Sequence, residues 1–300
     1  MSHVRLALVG LGEAGCVLAE DMLTLRDVSL RLWDRDFARP GSKAARHLRE
    51  LAGHEAVTVA PDAAGAARGC PLVLSLVTAD QAIEAARSVL PGLGPGALFV
   101  DLNSVSPGTK TAISQLAHDA GSRFVEASIM SPITARRSAS PILLSGPHAG
   151  AFLALGEALG LSNMRVVSEE LGQASATKMC RSVIVKGIEA LVSESLLTAR
   201  HYGVEDTVID SLDNLFPGLD WTEKSRYLIA RTLEHGERRA AEMREVARTV
   251  KEAGYEPWMS EGCVKRQAWA PRFESALAGK TLAAMLDAIG APATTDRECV

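Results

Sequence analysis

Residues 4–15 read VRLALVGLGEAG, an apolar strand that runs straight into a Gly-x-Gly-x-x-Gly turn. Val4, Leu6, Ala7, Leu8 and Val9 have the near-continuous apolar character of a strand covered on both faces. Gly10, Gly12 and Gly15 follow at once, and Cys16 to Leu25 carry a helical pattern. A dinucleotide pyrophosphate needs this order. Gly10 makes the tight turn, and Gly12 lets the backbone approach the phosphates. Gly15 lets the helix lie close to the strand with its first amides facing the anion. Leu11, Glu13 and Ala14 fill the turn and are assigned with the glycines to the cofactor site.

A second apolar run, Val28 to Trp33, ends in Asp34, about 20 residues beyond the turn. An acid there accepts hydrogen bonds from the adenosine ribose hydroxyls and repels a 2′-phosphate, which favours NAD. Arg35 beside it is able to pair with a 2′-phosphate, which keeps NADP as the alternative.

Composition narrows the class. A chain of 300 residues, 47% apolar, has material for two ordinary domains and a substantial core. The net charge of −4, with no basic block, argues against a nucleic-acid surface. No apolar run reaches the ~18 residues that span a bilayer, so no membrane partner is expected. The first strand begins so early that no room is left for a signal peptide. Five scattered cysteines, Cys16, Cys70, Cys180, Cys263 and Cys299, read as reduced thiols of a cytoplasmic protein. No HxxxH, CxxC or clustered carboxylate spacing points to a metal, and no Gly-x-Ser-x-Gly elbow points to a hydrolase.

Strands and helices alternate through the first half. Strands are expected at 56–59, 71–77, 97–101, 123–127 and 142–145, with helices at 62–68, 80–89 and 107–120. The fold class is therefore α/β, a doubly wound, mostly parallel sheet. A last strand is expected at 165–167, and from Leu171 the pattern is helical, with one long helix over 174–202 and others near 205–215, 222–249 and 281–289. This divides the chain into a dinucleotide-binding domain, 1–164, and an all-helical domain, 165–300, with a loose polar tail after Ala291.

At this point the chain resembles the β-hydroxyacid dehydrogenases, the group that includes 3-hydroxyisobutyrate and 6-phosphogluconate dehydrogenases. The likeness is carried by GLGEAG at Gly10–Gly15 and by DLNSVSP at Asp101–Pro107, followed by GSRFVEA at Gly121–Ala127. It continues in GQASATK at Gly172–Lys178 and HGERRAAEM at His235–Met243. The last two segments look most like a branch with a helical C-terminal domain of unassigned function. The resemblance implies a Rossmann domain, an all-α domain, a nicotinamide cofactor, a small-molecule substrate and a homodimer.

It also implies site residues. Lys178 matches the family's catalytic lysine, the general acid/base, on the helix that crosses between domains. A lysine serves this role where burial and neighbouring positive charge lower its pKa, and Arg181 and Lys186 lie nearby in sequence. Asn103 and Ser104 stand in the family's Asp-x-Ser-Thr segment, and Asn103 is assigned to substrate and nicotinamide ribose. Val77 and Thr78 end a strand where the family receives adenosine and ribose, although Thr78 is equally suited to cap a helix. Ser182 stands where the family has Asn, one turn beyond the lysine. The family's Pro-Val-Ser-Gly-Gly loop reads Ser128, Ile129, Met130, Ser131, Pro132, so two glycine amides are gone and Ser131 is left to offer a hydroxyl. His235, Arg239 and Glu242 share a helix face, from which His235 and Arg239 are assigned to substrate, with an Arg239–Glu242 surface pair as the alternative. Arg136 and Arg137 are expected to be solvated, or else to bind an anion. The expectation is an NAD(P)-dependent oxidoreductase acting on a small hydroxyacid. The alternatives are a reductase of imines or bulkier carbonyls and a non-catalytic dinucleotide binder.

Overall fold

In a computed structural model, residues 3–212, 214 and 216–290 are described. The tail after Ala291, Cys299 and the expected helix end at Leu215 lie outside them. The strands are β1 (Val4–Val9), β2 (Val28–Trp33), β3 (Val57–Val59), β4 (Leu72–Ser75), β5 (Leu98–Asp101), β6 (Arg123–Ile129), β7 (Ile142–Ser145) and β8 (Met164–Ser168). They form one sheet in the order β3-β2-β1-β4-β5-β6-β7-β8. Every neighbouring pair is parallel except β6 and β7. The continuous apolar runs of β1, β4 and β5 lie in the middle, buried along nearly their whole length, while the short β3 sits exposed at the edge.

Around the sheet lie α1 (Glu13–Leu23), α2 (Lys43–Leu51), α3 (Ala63–Ala67), α4 (Ala82–Val89), α5 (Pro107–Asp119), α6 (Ile133–Arg136) and α7 (Ala149–Ala158). Then come α8 (Gln173–Tyr202), α9 (Glu205–Leu212), α10 (Trp221–Glu252), α11 (Trp258–Trp269) and α12 (Leu282–Gly290). The expected long helix is α8. No helix was expected at α7 or α11. The all-round apolar Ala149–Ala158 segment gives little 3.6-residue patterning to read, and Gly254, Pro257 and Gly262 break up the other.

The chain forms two compact units. One comprises Met1–Cys180 and Arg248–Tyr255, the other Arg181–Ala247 and Glu256–Val300. The first therefore includes β8 and the start of α8, and runs past 164. It also includes the last turn of α10, because Glu252 accepts hydrogen bonds from the Ser106 hydroxyl (2.9 Å) and the Gly108 amide (3.0 Å) at the start of α5. The core of the second unit is Leu196, Ile229, Leu233, Met285, Leu286 and Ile289, with Trp269 and Phe273 packed against it.

One row across the sheet breaks the apolar pattern. Ser75, Asp101, Glu126 and Ser145 are register partners on β4, β5, β6 and β7, and all are fully buried. Their polar atoms must be satisfied inside the protein. Lys110 of α5, also without solvent access, donates to the carbonyl of Asp101 at 2.7 Å and lies 3.3 Å from its Oδ2. Burial pushes the Asp101 carboxyl above its ordinary range, and Lys110 pulls it back.

Removing one partner of a buried ion pair leaves an uncompensated charge and costs about 3–5 kcal/mol. Lys110→Met is therefore expected to lower stability by about that amount in urea unfolding, and Asp101→Asn added to it to recover part of the loss. A single variant as stable as wild type contradicts the pairing.

Candidate active site

The glycine turn joins β1 to α1. Gly10 adopts φ +95°, and a Cβ there would strike the Leu76 carbonyl; at Gly15 it would strike the carbonyl of Gly10. A Cβ at Gly12 meets nothing within 4 Å. Gly12 is also the N-cap of α1, and no side chain caps the helix. Open space beside Gly12 and uncapped first-turn amides are what a pyrophosphate requires, so these residues fit a dinucleotide. The strand order reverses between β1 and β4, which puts the turn at the sheet's switch point.

Asp34 follows β2 and faces this turn. Its Oδ2 accepts from the Leu11 amide at 2.7 Å and its Oδ1 from the Asp36 amide at 2.8 Å. His47 Nδ1 lies 2.9 Å from the Leu11 carbonyl oxygen. Arg35 reaches Gln81 and donates to its carboxamide oxygen. Thr78 holds the N-cap position before Ala79 but makes no capping bond through its side chain.

Beyond β5, Asn103 ties two strand ends together. Its Oδ1 accepts from the Val77 amide at 2.6 Å, its Nδ2 donates to Ser75 Oγ at 3.0 Å, and its own amide donates to Asp101 Oδ1 at 3.0 Å. A carboxamide so held still has one N–H and one lone pair for a ligand. Ser104 comes next, and Lys178 Nζ donates to its Oγ at 2.5 Å. Thus Asn103, Ser104, Val77 and Lys178 come together at the carboxyl ends of β4 and β5.

Sequence reasoning missed what caps the start of α8, the helix that bears Lys178. Both oxygens of Glu126 accept from backbone at the start of α8, Oε2 from Gly172 and Oε1 from Ser175, each at 2.5 Å. Ser145 Oγ accepts from Ala174 at 3.2 Å. The only hint in the sequence was an acid inside an apolar strand, Arg123–Ile129, where a charge demands a partner.

After β6 the chain enters the altered loop. Ser131 Oγ is buried and makes no hydrogen bond among the described residues. Arg137 is not simply solvated: it pairs with Glu20 and Asp21 of α1, each at 2.7 Å. Arg136 is exposed.

Ser182, His235 and Arg239 belong to the second unit. Buried Ser182 accepts from Lys186 Nζ at 3.2 Å, and Lys186 pairs with Glu242 at 3.1 Å. Arg239 pairs with Glu189 of α8, with the Glu242 charge also acting on it, while Glu242 takes Arg238 at 2.6 Å. His235 Nε2 lies 2.6 Å from Arg231 Nη1. Lys186, expected to lend positive charge, is thus matched by an anion. Burial still pushes its ammonium below the ordinary lysine range, with Glu242 opposing.

Among the described residues, one group of metal-ligating type draws together, Cys16, Glu20 and Glu50. Burial and Glu20 push the Cys16 thiol up to about 12. No described helix is long and apolar enough to cross a membrane.

Comparison with known proteins gives this geometry a family. The NAD binding domain of 6-phosphogluconate dehydrogenase matches residues 5–160, more than half of the chain. A domain of unknown function (DUF1932) matches residues 199–270. The chain belongs to the β-hydroxyacid dehydrogenase family. A conserved hypothetical protein from Sinorhizobium meliloti 1021 is 33% identical, with 96% of each chain covered and a TM-score of 0.71. Human mitochondrial 3-hydroxyisobutyrate dehydrogenase is 21% identical over 74% of this chain and 64% of its own. A reductive aminase from Aspergillus terreus, in complex with NADPH and ethyl levulinate, shares the fold at 19% identity, with a TM-score of 0.57 over 96% of this chain and all of the other. Membership in the β-hydroxyacid dehydrogenases supports an oxidoreductase that uses a nicotinamide dinucleotide.

The depressed Lys186 titration has a signed consequence for this family member. Between its folded pKa and the ordinary 10.5, the unfolded chain binds more protons than the folded one. Stability relative to Lys186→Met is therefore expected to rise with pH across that window and to level off above it. Urea unfolding of both proteins over the alkaline range measures this, and a flat difference contradicts the burial effect.

Proposed function

We propose that the protein transfers a hydride between a nicotinamide dinucleotide and a small hydroxyacid or related carbonyl compound, with Lys178 as general acid/base. The observation that carries this is the 2.5 Å bond from Lys178 Nζ to Ser104 Oγ at the carboxyl end of β5, next to Asn103. When bound, the nicotinamide ring takes or gives the hydride. Lys178 takes the proton from a substrate hydroxyl in oxidation and returns it to the carbonyl oxygen in reduction. Ser104, accepting from the ammonium, keeps its own O–H to donate to substrate. Asn103 orients substrate or ribose with its remaining N–H. Ser131 offers a buried hydroxyl with no other described partner. Ser182, His235 and Arg239, of the second unit, are assigned to substrate on the family resemblance alone.

Gly10 to Gly15 hold the pyrophosphate and Val77 and Thr78 line the adenosine end. Asp34 takes the ribose hydroxyls, and its carboxylate at the Leu11 amide supports NAD. Arg35, bonded to Gln81, supports NADP less well while it stays there. A homodimer in the cytoplasm completes the proposal. Ile184, Ile188 and Leu191 form an exposed apolar stripe on α8, and Cys16, Cys70, Cys180 and Cys263 are free thiols.

One observation favours a second reading on the same scaffold. The loop Ser128–Pro132 lacks the glycine amides that grip a carboxylate, which suits a reductase of imines or bulkier carbonyls. A screen of hydroxyacids, semialdehydes, ketones and imines, read at the reduced-nicotinamide absorbance, separates the two.

Lys178→Ala is expected to lower kcat by about 10²- to 10⁴-fold while cofactor affinity, read by fluorescence quenching, holds. Wild-type turnover in that variant removes the lysine from the chemistry, and a wild-type protein that binds cofactor but reduces nothing is a binder only. Asp34→Ala is expected to weaken NAD by roughly 10-fold or more and NADP less. Equal weakening of both defeats the preference for NAD.

A further inference from the structure

We propose that Glu126 is the positioning residue for Lys178, its buried carboxylate fixing the first turn of α8 and with it the place of the ammonium group. The inference rests on the assignment of Lys178 above, but not on any turnover. Glu126 stands in the sheet with no solvent access, a costly place for a charge unless strong partners repay it. The repayment is visible: two backbone N–H groups at 2.5 Å, one to each oxygen. α8 needs this from outside, because the residue at its N-cap is Gly172, with φ +95° and no side chain to turn back on the helix. Ser145, the register partner of Glu126 on β7, takes the amide between. The cap is therefore assembled across two strands.

Lys178 lies one turn beyond Ser175, so any tilt or slide of the first turn moves its ammonium. The other end of the Lys178–Ser104 bond is held by the same row. Ser104 follows Asn103, which is tied to Ser75 and Asp101, and Asp101 is the register partner of Glu126 on β5. Charge adds to position. The start of a helix carries roughly half a positive charge, unfavourable to a cation in its first turns. A buried carboxylate on the first amides offsets it.

The test is Glu126→Gln, which keeps the shape, removes the charge and turns an N–H donor toward one of the two amide donors. Lys178 is read directly by competitive acetylation of the intact protein across pH, followed by peptide mass spectrometry. Loss of the nearby anion is expected to move the Lys178 labelling midpoint to lower pH by about half a unit or more. With turnover available, kcat is expected to fall roughly 10- to 100-fold at unchanged cofactor Kd, as slight misplacement of a reacting group does. An unchanged labelling midpoint together with wild-type kcat overturns the proposal. If wild type turns over none of the screened substrates, the acid–base role of Lys178 fails, and the labelling shift alone then supports or overturns the role of Glu126. Should Glu126→Gln not fold, Glu126→Asp keeps the charge and draws it back by one methylene. There kcat is expected to fall about threefold or more, and wild-type kcat and labelling overturn the proposal.

Discussion

Four polar side chains in one register row, on strands where water does not reach, constrain everything around them. Ser75, Asp101, Glu126 and Ser145 lie side by side from β4 to β7, each fully buried. A buried polar group left without a partner is expensive, so each must recruit one. Ser75 recruits Asn103, Asp101 recruits Lys110 and the Asn103 amide, and Glu126 and Ser145 recruit the start of α8. The partners include the segments that bear Ser104 and Lys178. Satisfying the sheet and placing the proposed chemistry are here the same physical requirement.

The second unit repeats the principle with charges. Lys186 and Glu242, and Arg239 and Glu189, pair α8 with α10 away from water. Such pairs contribute little net stability against an apolar packing of the same volume, but any other register of the two helices would leave buried charges alone. Their value lies in selecting one arrangement. The neighbouring apolar core of Leu196, Ile229 and Leu233 could tolerate a slide that the ion pairs do not.

What could be read from the sequence follows from how far apart the interacting residues lie. The turn at Gly10–Gly15, the strand alternation and the long helix bearing Lys178 are local patterns, and the chain carries them in plain order. Asn103, Ser104 and Lys178 were legible through motif, since similar spacing implies similar placement. The row was not legible. It depends on β6 lying beside β5 and β7 running against it, and pairing order is a property of topology. Nothing local in the sequence sets Lys110 apart from other lysines on a helix. The Lys186–Glu242 and Arg239–Glu189 pairs join residues fifty or more positions apart, where helix spacing says nothing. In each case the missing step was a non-local partner for a charge.

β6 bears on two parts of the proposed site at once. The strand serves two ends: Glu126 faces the start of α8, and the chain beyond Ile129 becomes the loop that contacts substrate in the proposed site. These tasks rest on different residues separated along the strand. Ser131 and Pro132, standing where the family has the two loop glycines, alter the proposed recognition loop, yet leave the Glu126 and Ser145 cap on α8 as it is. A change at Glu126 would instead disturb the ammonium whatever the substrate. The loop and the row are thus physically separable parts of one strand and its continuation.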